Sequence, residues 1–202
     1  MTQVSLDALI AGARAGKLVS FPTDTVPALA VRPDCSELIF AAKGRSQEKP
    51  LILMGASALS LWDFAIGSAQ ERQIWQEVAE KYWPGALTLV LPASECVPNA
   101  MNPADPTTIG LRVPDCAIAR EILSQTNPMA TTSANRSGEP PLLTMAEIEI
   151  DFPDVLTLLP AELESINPTM GIPSTVAKWT GGGWEILRQG AMLVPRGFAI
   201  EL

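Results

Sequence analysis

The chain has 202 residues, 47% of them apolar, which is enough for one sizeable core. Lys and Arg number 14 against 22 Asp and Glu, a net charge of −8 that argues against a non-specific coat for nucleic acid while leaving room for a local basic cleft. Histidine is absent, so Ser-His-Asp and Cys-His catalysis, histidine metal ligation and a histidine general base are excluded.

Cys35, Cys96 and Cys116 are widely spaced and form no Cys-x-x-Cys pair. That spacing opposes a disulfide framework or a thiolate zinc site and predicts three small buried hydrophobes. No apolar run approaches the roughly 18 residues of a membrane span, and residues 1–15 carry Asp7 and Arg14 in an amphipathic pattern unlike a signal peptide. A soluble, cytoplasmic protein away from membranes is expected. The 18 prolines are scattered as element ends, no repeat is visible, and a single domain over residues 1–202 is expected.

Ser5 ahead of Leu6, Leu9, Ile10 and Ala13, with Gly16 behind, predicts an N-capped helix with one apolar face. Residues 17–21 read as a strand ending in Pro22-Thr23-Asp24-Thr25-Val26-Pro27. Two prolines hold that loop extended and present two hydroxyls and a carboxylate at a strand end. Ligand binding and a plain turn capped by Asp24 are both open there. Asp34 with Glu37 predicts a capping box for a helix through Ile39 and Phe40 that ends at Lys43-Gly44-Arg45. These cations suit the helix C-terminus and suit phosphate oxygens equally, Lys as a point charge and Arg as a fork. A polar loop to Lys49 and Pro50 leads into a strand over residues 51–54.

Residues 70–83 form a surface helix with Ile74, Trp75, Val78 and Ala79 inward, stopped by Trp83-Pro84-Gly85, and the tryptophans are read as packing groups. Strands follow over residues 86–91 and 107–113. Arg112, inside an apolar strand, requires an anion, either a ligand carboxylate or a buried Asp or Glu. After a helix over residues 115–125, Met129 and Ala130 run into Thr131, Thr132, Ser133, Asn135, Ser137 and Gly138. This loop is either an anion cradle, with backbone N–H groups turned to one point, or an ordinary turn. Thr144 with Glu147 predicts a capped helix, residues 155–159 a strand and 167–173 a turn region. A hairpin then joins Ser174-Thr175-Val176-Ala177 to residues 184–187 across Thr180-Gly181-Gly182-Gly183 and closes at Arg188-Gln189-Gly190. Alternating strands and helices with that hairpin predict an α/β fold on a mixed parallel and antiparallel sheet.

The Pro22-Thr23-Asp24-Thr25 loop, Lys43-x-Arg45, Ser133-x-Asn135, Ser174-Thr175-Val176 and Arg188-x-Gly190, in that order over nearly the whole chain, resemble the YrdC-type (TsaC) threonylcarbamoyl-AMP synthases. The blocks at residues 83–88 and 109–114 look similar too, and the chain resembles the short form of the family. The resemblance implies an open, twisted YrdC-like sheet flanked by helices around a concave, locally positive cavity. It implies formation of threonylcarbamoyl-adenylate and pyrophosphate from L-threonine, bicarbonate and ATP, on the route to threonylcarbamoyladenosine in tRNA. By match to the family pattern, Lys43, Arg45, Thr131, Ser133, Asn135 and Arg188 would hold ATP, with Lys43 and Arg45 catalytic, and Thr23, Thr25, Arg112 and Ser174 would surround threonine. ATP would bring Mg²⁺ as a substrate complex, and no protein-bound metal or organic cofactor is implied. Partners would be these small substrates, tRNA or other RNA, and downstream threonylcarbamoyl transferase proteins.

Two departures stand out. Pro27-Ala28 replaces a frequent Tyr-Gly and alters one pocket wall, and Lys178 stands near a frequently acidic place. The alternative is a non-catalytic YciO-like paralogue acting as an RNA-binding or ribosome-associated module through Lys43, Arg45, Lys49, Arg112, Arg136 and Arg188.

Overall fold

The computed structural model describes residues 2–44, 49–164 and 169–193. Five α-helices are described: α1 (Leu6–Arg14), α2 (Glu37–Lys43), α3 (Ala69–Tyr82), α4 (Ala117–Thr126) and α5 (Met145–Asp151). The strands are β1 (Gln3–Val4), β2 (Val19–Phe21), β3 (Ala28–Val31), β4 (Ile52–Met54), β5 (Leu87–Pro92), β6 (Thr108–Arg112), β7 (Met129–Ser133), β8 (Thr157–Leu158), β9 (Thr175–Trp179) and β10 (Trp184–Arg188). Eight of them form one sheet in the order β10-β9-β5-β6-β4-β7-β3-β2, while β1 and β8 make a small parallel pair. In the large sheet, β9 with β5 and β4 with β6 are parallel and the other neighbours antiparallel. The mixed α/β sheet is as expected.

Local chemistry explains most element ends. The Ser5 hydroxyl accepts from Ala8 N at the start of α1, and Thr144 with Glu147 forms a full capping box on α5. Ser68 and Glu71 make a second box on α3. The expected box of Asp34 with Glu37 is not formed. Asp34 sits in a 3-10 turn and pairs with Arg32, leaving Ser36 at the head of α2 without a side-chain cap. The region expected as a turn over 167–173 falls partly outside the described residues.

Strand alternation sorts the sheet into two faces. One face carries Leu53, Leu87, Leu89, Leu91, Ile109 and Leu111, buried under α2 and α3 with Trp75 and Trp179. Trp75 meets Trp179 edge-on, and Trp179 meets Trp184 edge-on, so these indoles pack as expected. On the other face α1 and α4 cover the β2-β3 end and reach the near ends of β7 and β4, through Leu9, Ile10, Ile118 and Ile122 in one cluster with Phe21, Ala30, Met129 and Met54. Among the described residues no helix packs on the rest of that face, over β6, β5 and β9. Of the cysteines only Cys116 is buried; Cys35 is half-buried and Cys96 exposed, because residue 96 lies in an open turn.

Candidate functional site

The uncovered part of the sheet is a hollow in two connected parts. The inner part, about 160 Å³, is lined by Thr25, Arg112, Thr131, Ser133, Ser174 and Arg188, with Ile52, Met54 and Pro173 as apolar wall. Pro27 and Ala28 also line it, so the first departure does form part of a wall. The outer part, about 460 Å³, shares Pro50, Ile52 and Arg188 with the inner one and is edged by Lys49, Lys178 and Asp105 over a floor containing Gly110. An outer volume within the ~300–1,000 Å³ of ordinary ligand sites suits a nucleotide-sized group, and the inner part suits something much smaller.

Arg112 is fixed at the inner end. Its Nη2 donates to Asp24 Oδ1 at 2.7 Å, its Nη1 to Thr25 Oγ1 at 2.8 Å and its Nε to Gly85 O at 3.2 Å. The anion that an arginine in this strand requires is therefore Asp24. Burial pushes the Arg112 pKa down, the Asp24 carboxylate pushes it back up, and the charge of Arg188 lowers it further. The last of these effects places two guanidiniums within electrostatic reach of one another across one small hollow, an arrangement that favours an anion between them.

Arg188 reaches the hollow through an irregularity. Ile186 pairs with Ala177, but Arg188 pairs with Val176, so the chain bulges at Leu187. In regular pairing Arg188 would share the face of Trp184 and Ile186; the bulge turns it to the face of Val176 and Lys178. There its Nε and Nη2 donate to Ser174 O at 3.1 and 2.9 Å, while Ser174 Oγ bonds Thr88 Oγ1 at 2.9 Å. Gly190 allows this closure, since a Cβ there would lie 2.2 Å from Pro173 O.

At the rim of β7 the ammonium of Lys43 donates to Ser133 O and, at 3.1 Å, to Asn135 Oδ1. Asn135 Oδ1 also accepts from Ser133 Oγ at 2.6 Å, and its Nδ2 donates to Arg136 O and Glu139 O. Every hydrogen-bonding position of that amide is thus taken, and Asn135 acts here as the clamp that aims Lys43. Of the backbone N–H groups considered for an anion cradle, those of Ala134, Asn135, Ser137 and Glu139 donate to protein carbonyls and are not turned to the hollow.

The structure therefore brings Thr25, Arg112, Thr131, Ser133, Ser174 and Arg188 to one cavity, with Lys43 and Asn135 bonded to its rim. Thr23 is a correction: it does not line the cavity but stands behind Thr25, because its hydroxyl turns back onto Val26 O. Arg45 lies outside the described residues. Arg136 is drawn away from the hollow, donating to Ala42 O and Asp151 O with its guanidinium over the Phe152 ring. Sequence reasoning missed the pairing of Asp24 with Arg112 and the contact of Thr88 with Ser174; Thr88 stands in the block at residues 83–88, the available signal. Among the described residues no group of three or more His, Cys, Asp or Glu is placed to hold a metal, and no helix is long and apolar enough to cross a membrane.

The fold is an α/β mixed sheet that carries on one face a two-part hollow lined by Arg112 and Arg188, with Lys43 bonded at its rim. The chain belongs to the Sua5/YciO/YrdC family, whose sequence model, described as telomere recombination, matches residues 12–190. It is 34% identical over 183 residues to the threonylcarbamoyl-AMP synthase of Pyrococcus abyssi, covering 89% of this chain and 52% of that one. The structure of P. abyssi Sua5 complexed with L-threonine superposes with a TM-score of 0.80 at 33% identity, over 92% of this chain and 54% of that one. Escherichia coli YciO shares the fold, with a TM-score of 0.76 at 21% identity, over 92% and 88% of the two chains. The chain thus spans about half the length of the Pyrococcus relative.

Proposed function

We propose that this chain is an L-threonylcarbamoyladenylate synthase, a nucleotidyltransferase that joins L-threonine, bicarbonate and ATP and releases pyrophosphate. The observation that carries the reading is the two-part hollow with Arg188 on the border: an amino-acid-sized inner end holding Arg112, opening into a nucleotide-sized outer end. The similarity to relatives named for this synthesis, one of them solved with L-threonine, supports it.

In this reading Arg112 takes the threonine carboxylate, with Thr25 and Ser174 beside it. A carbamate oxygen of the N-carboxylated amino acid attacks the α-phosphorus of ATP, and the bond from that phosphorus to the pyrophosphate oxygen breaks. Negative charge grows on phosphoryl oxygens, and Lys43 and Arg188, held in advance by Asn135 and Ser174, meet it with little reorganisation. Arg45 would join them, and Mg²⁺ would arrive on the triphosphate. No step calls for histidine. A cytoplasmic setting, tRNA as final acceptor and transferase proteins as consumers of the product belong to the same proposal. An RNA-binding module is disfavoured by Arg136, whose guanidinium is spent on protein carbonyls.

The test is pyrophosphate release by the purified protein with ATP, Mg²⁺, bicarbonate and each amino acid in turn. L-Threonine should stimulate it, and Lys43→Ala should cost about 2–4 kcal/mol of transition-state stabilisation. No threonine-dependent release would refute the activity, and unchanged release by Lys43→Ala would remove that lysine from it.

A further inference from the structure

The neighbouring parallel strands β4 and β6 send their chains to opposite faces of the sheet. β4 leads to α3, which packs on the face of Leu53, and β6 leads to α4, which packs with Met54 on the other. Beyond the carboxyl ends of strands that part in this way a crevice opens, and open α/β sheets take ligands there. In this chain it is a cavity of about 650 Å³, within the ~300–1,000 Å³ of ordinary ligand sites. It shares no lining residue with either part of the hollow.

One wall of the crevice is aromatic. Trp62 and Trp83 overlap with ring centres 5.9 Å apart and planes 28° from parallel, and the Trp83 indole is fixed by donating to Leu87 O at 2.8 Å. The lining also carries one charge of each sign. Glu80 enters from α3 and is in no ion pair among the described residues. Arg120 enters from α4 and, among the described residues, is held only through Nη1, 3.5 Å from an exposed Asp115. Its Nε and Nη2 remain for a planar carboxylate.

We propose that this crevice is a second ligand site, for a zwitterionic aromatic amino acid: ring against the indoles, carboxylate on Arg120, ammonium on Glu80. The balance of charge selects that class. A nucleotide would bring its phosphate charge to a single guanidinium in a cavity that also holds a carboxylate, on a chain of net charge −8. A zwitterion satisfies both groups and adds no net charge. An aromatic amine or an aromatic acid alone would meet one attractive and one repulsive group. The site also stands behind the arginine of the inner cavity. Pro84 and Val113 both line the crevice; Val113 O accepts from Gly85 N at 2.9 Å, and Gly85 O accepts from Arg112 Nε at 3.2 Å. The bound amino acid would thus lie against the turn that holds Arg112.

The test is an NMR titration of the isotope-labelled chain, read at its five indole N–H signals, each assigned with a single tryptophan-to-phenylalanine variant. No tryptophan lines the hollow, so a shift at Trp62 reports the crevice. L-Phenylalanine should move the Trp62 and Trp83 signals saturably. Phenethylamine and 3-phenylpropionate should bind about tenfold more weakly or worse, each lacking one charge-assisted hydrogen bond. Arg120→Gln should erase the advantage over phenethylamine, and Glu80→Gln the advantage over 3-phenylpropionate; neither side chain is buried, so both variants keep the fold. Lys43→Ala should leave the shifts as they are. A Trp62 signal unmoved by millimolar L-phenylalanine, or equal affinity for the three compounds, would overturn the proposal. So would loss of the shifts in Lys43→Ala, or tighter binding of AMP than of L-phenylalanine at that signal. None of these results touches the synthase reading, which the pyrophosphate assay decides separately.

Discussion

Arg112 and Asp24 show what a single buried charge demands. The two side chains are 5% and 13% exposed and meet at 2.7 Å, so neither charge is well solvated on its own. Removing one partner of such a pair strands the other, at a typical cost of about 3 kcal/mol or more. Asp24→Ala should therefore lower the free energy of unfolding by about 3 kcal/mol in urea titration, and Asp24→Asn by clearly less, because its amide oxygen still accepts from Nη2. Equal denaturation midpoints for the two variants would show that a neutral acceptor is no substitute and that Arg112 needs the negative charge, whereas an Asp24→Asn midpoint equal to that of the wild type would show that the charge is irrelevant. The need for a partner could be read from an arginine in an apolar strand. Its identity could not, because Asp24 lies 88 positions away and a ligand carboxylate meets the same need. Lys43 and Asn135 are 92 positions apart, and there the family pattern, not spacing, linked them.

At the scale of elements, capped helices were readable and irregular strands were not. The Ser5 and Thr144 caps are local chemistry and appear as expected, whereas the Asp34 cap lost to a neighbouring cation, Arg32. The strand β3 went unread because Ala28–Val31 is buried on both sides and lacks the alternation that marks a half-exposed strand. The bulge at Leu187 has no sequence mark except the glycine that follows it at residue 190. Gly190→Ala should cost about 2 kcal/mol and weaken ATP binding, since backbone atoms of Pro173 and Ser174 would be pushed off and Arg188 displaced with them. Gly182→Ala, with nothing within 4 Å of the new carbon, is the control and should change neither melting temperature nor affinity. The cap of α3 makes a pH prediction. Bonds from the Trp179 indole, then from Ser68 N and its hydroxyl, hold the Glu71 carboxyl below its ordinary value of 4.5. Because the folded pKa is depressed, this contribution is fully present above pH 4.5 and is lost as pH falls through the lowered value. Glu71→Gln should flatten the acid limb of stability below that pH in denaturation curves and leave the neutral limb parallel to wild type.

For the whole molecule, the decisive property is that the hollow is assembled from distant segments, from Thr25 in the first loop to Arg188 in the last strand. A ligand seated there binds the folded chain and has no counterpart site in the unfolded one, so its binding free energy adds to global stability. With MgATP at a hundred times its dissociation constant the gain is about 2.7 kcal/mol, which for a chain of this size is roughly 5–10 °C in melting temperature. The shift should come as a movement of one cooperative transition, since the cavity strands are hydrogen-bonded members of the sheet whose opposite face is the core. It should survive moderate salt, because the triphosphate meets partly desolvated cations and not a broad basic surface on a chain of net charge −8. An RNA-binding module would behave otherwise, with tRNA affinity falling steeply and linearly with the logarithm of salt concentration. Thermal melts with and without MgATP at low and physiological salt, set beside tRNA binding at the same two salts, separate the cases. A melting temperature unmoved by saturating MgATP would refute a nucleotide in this hollow.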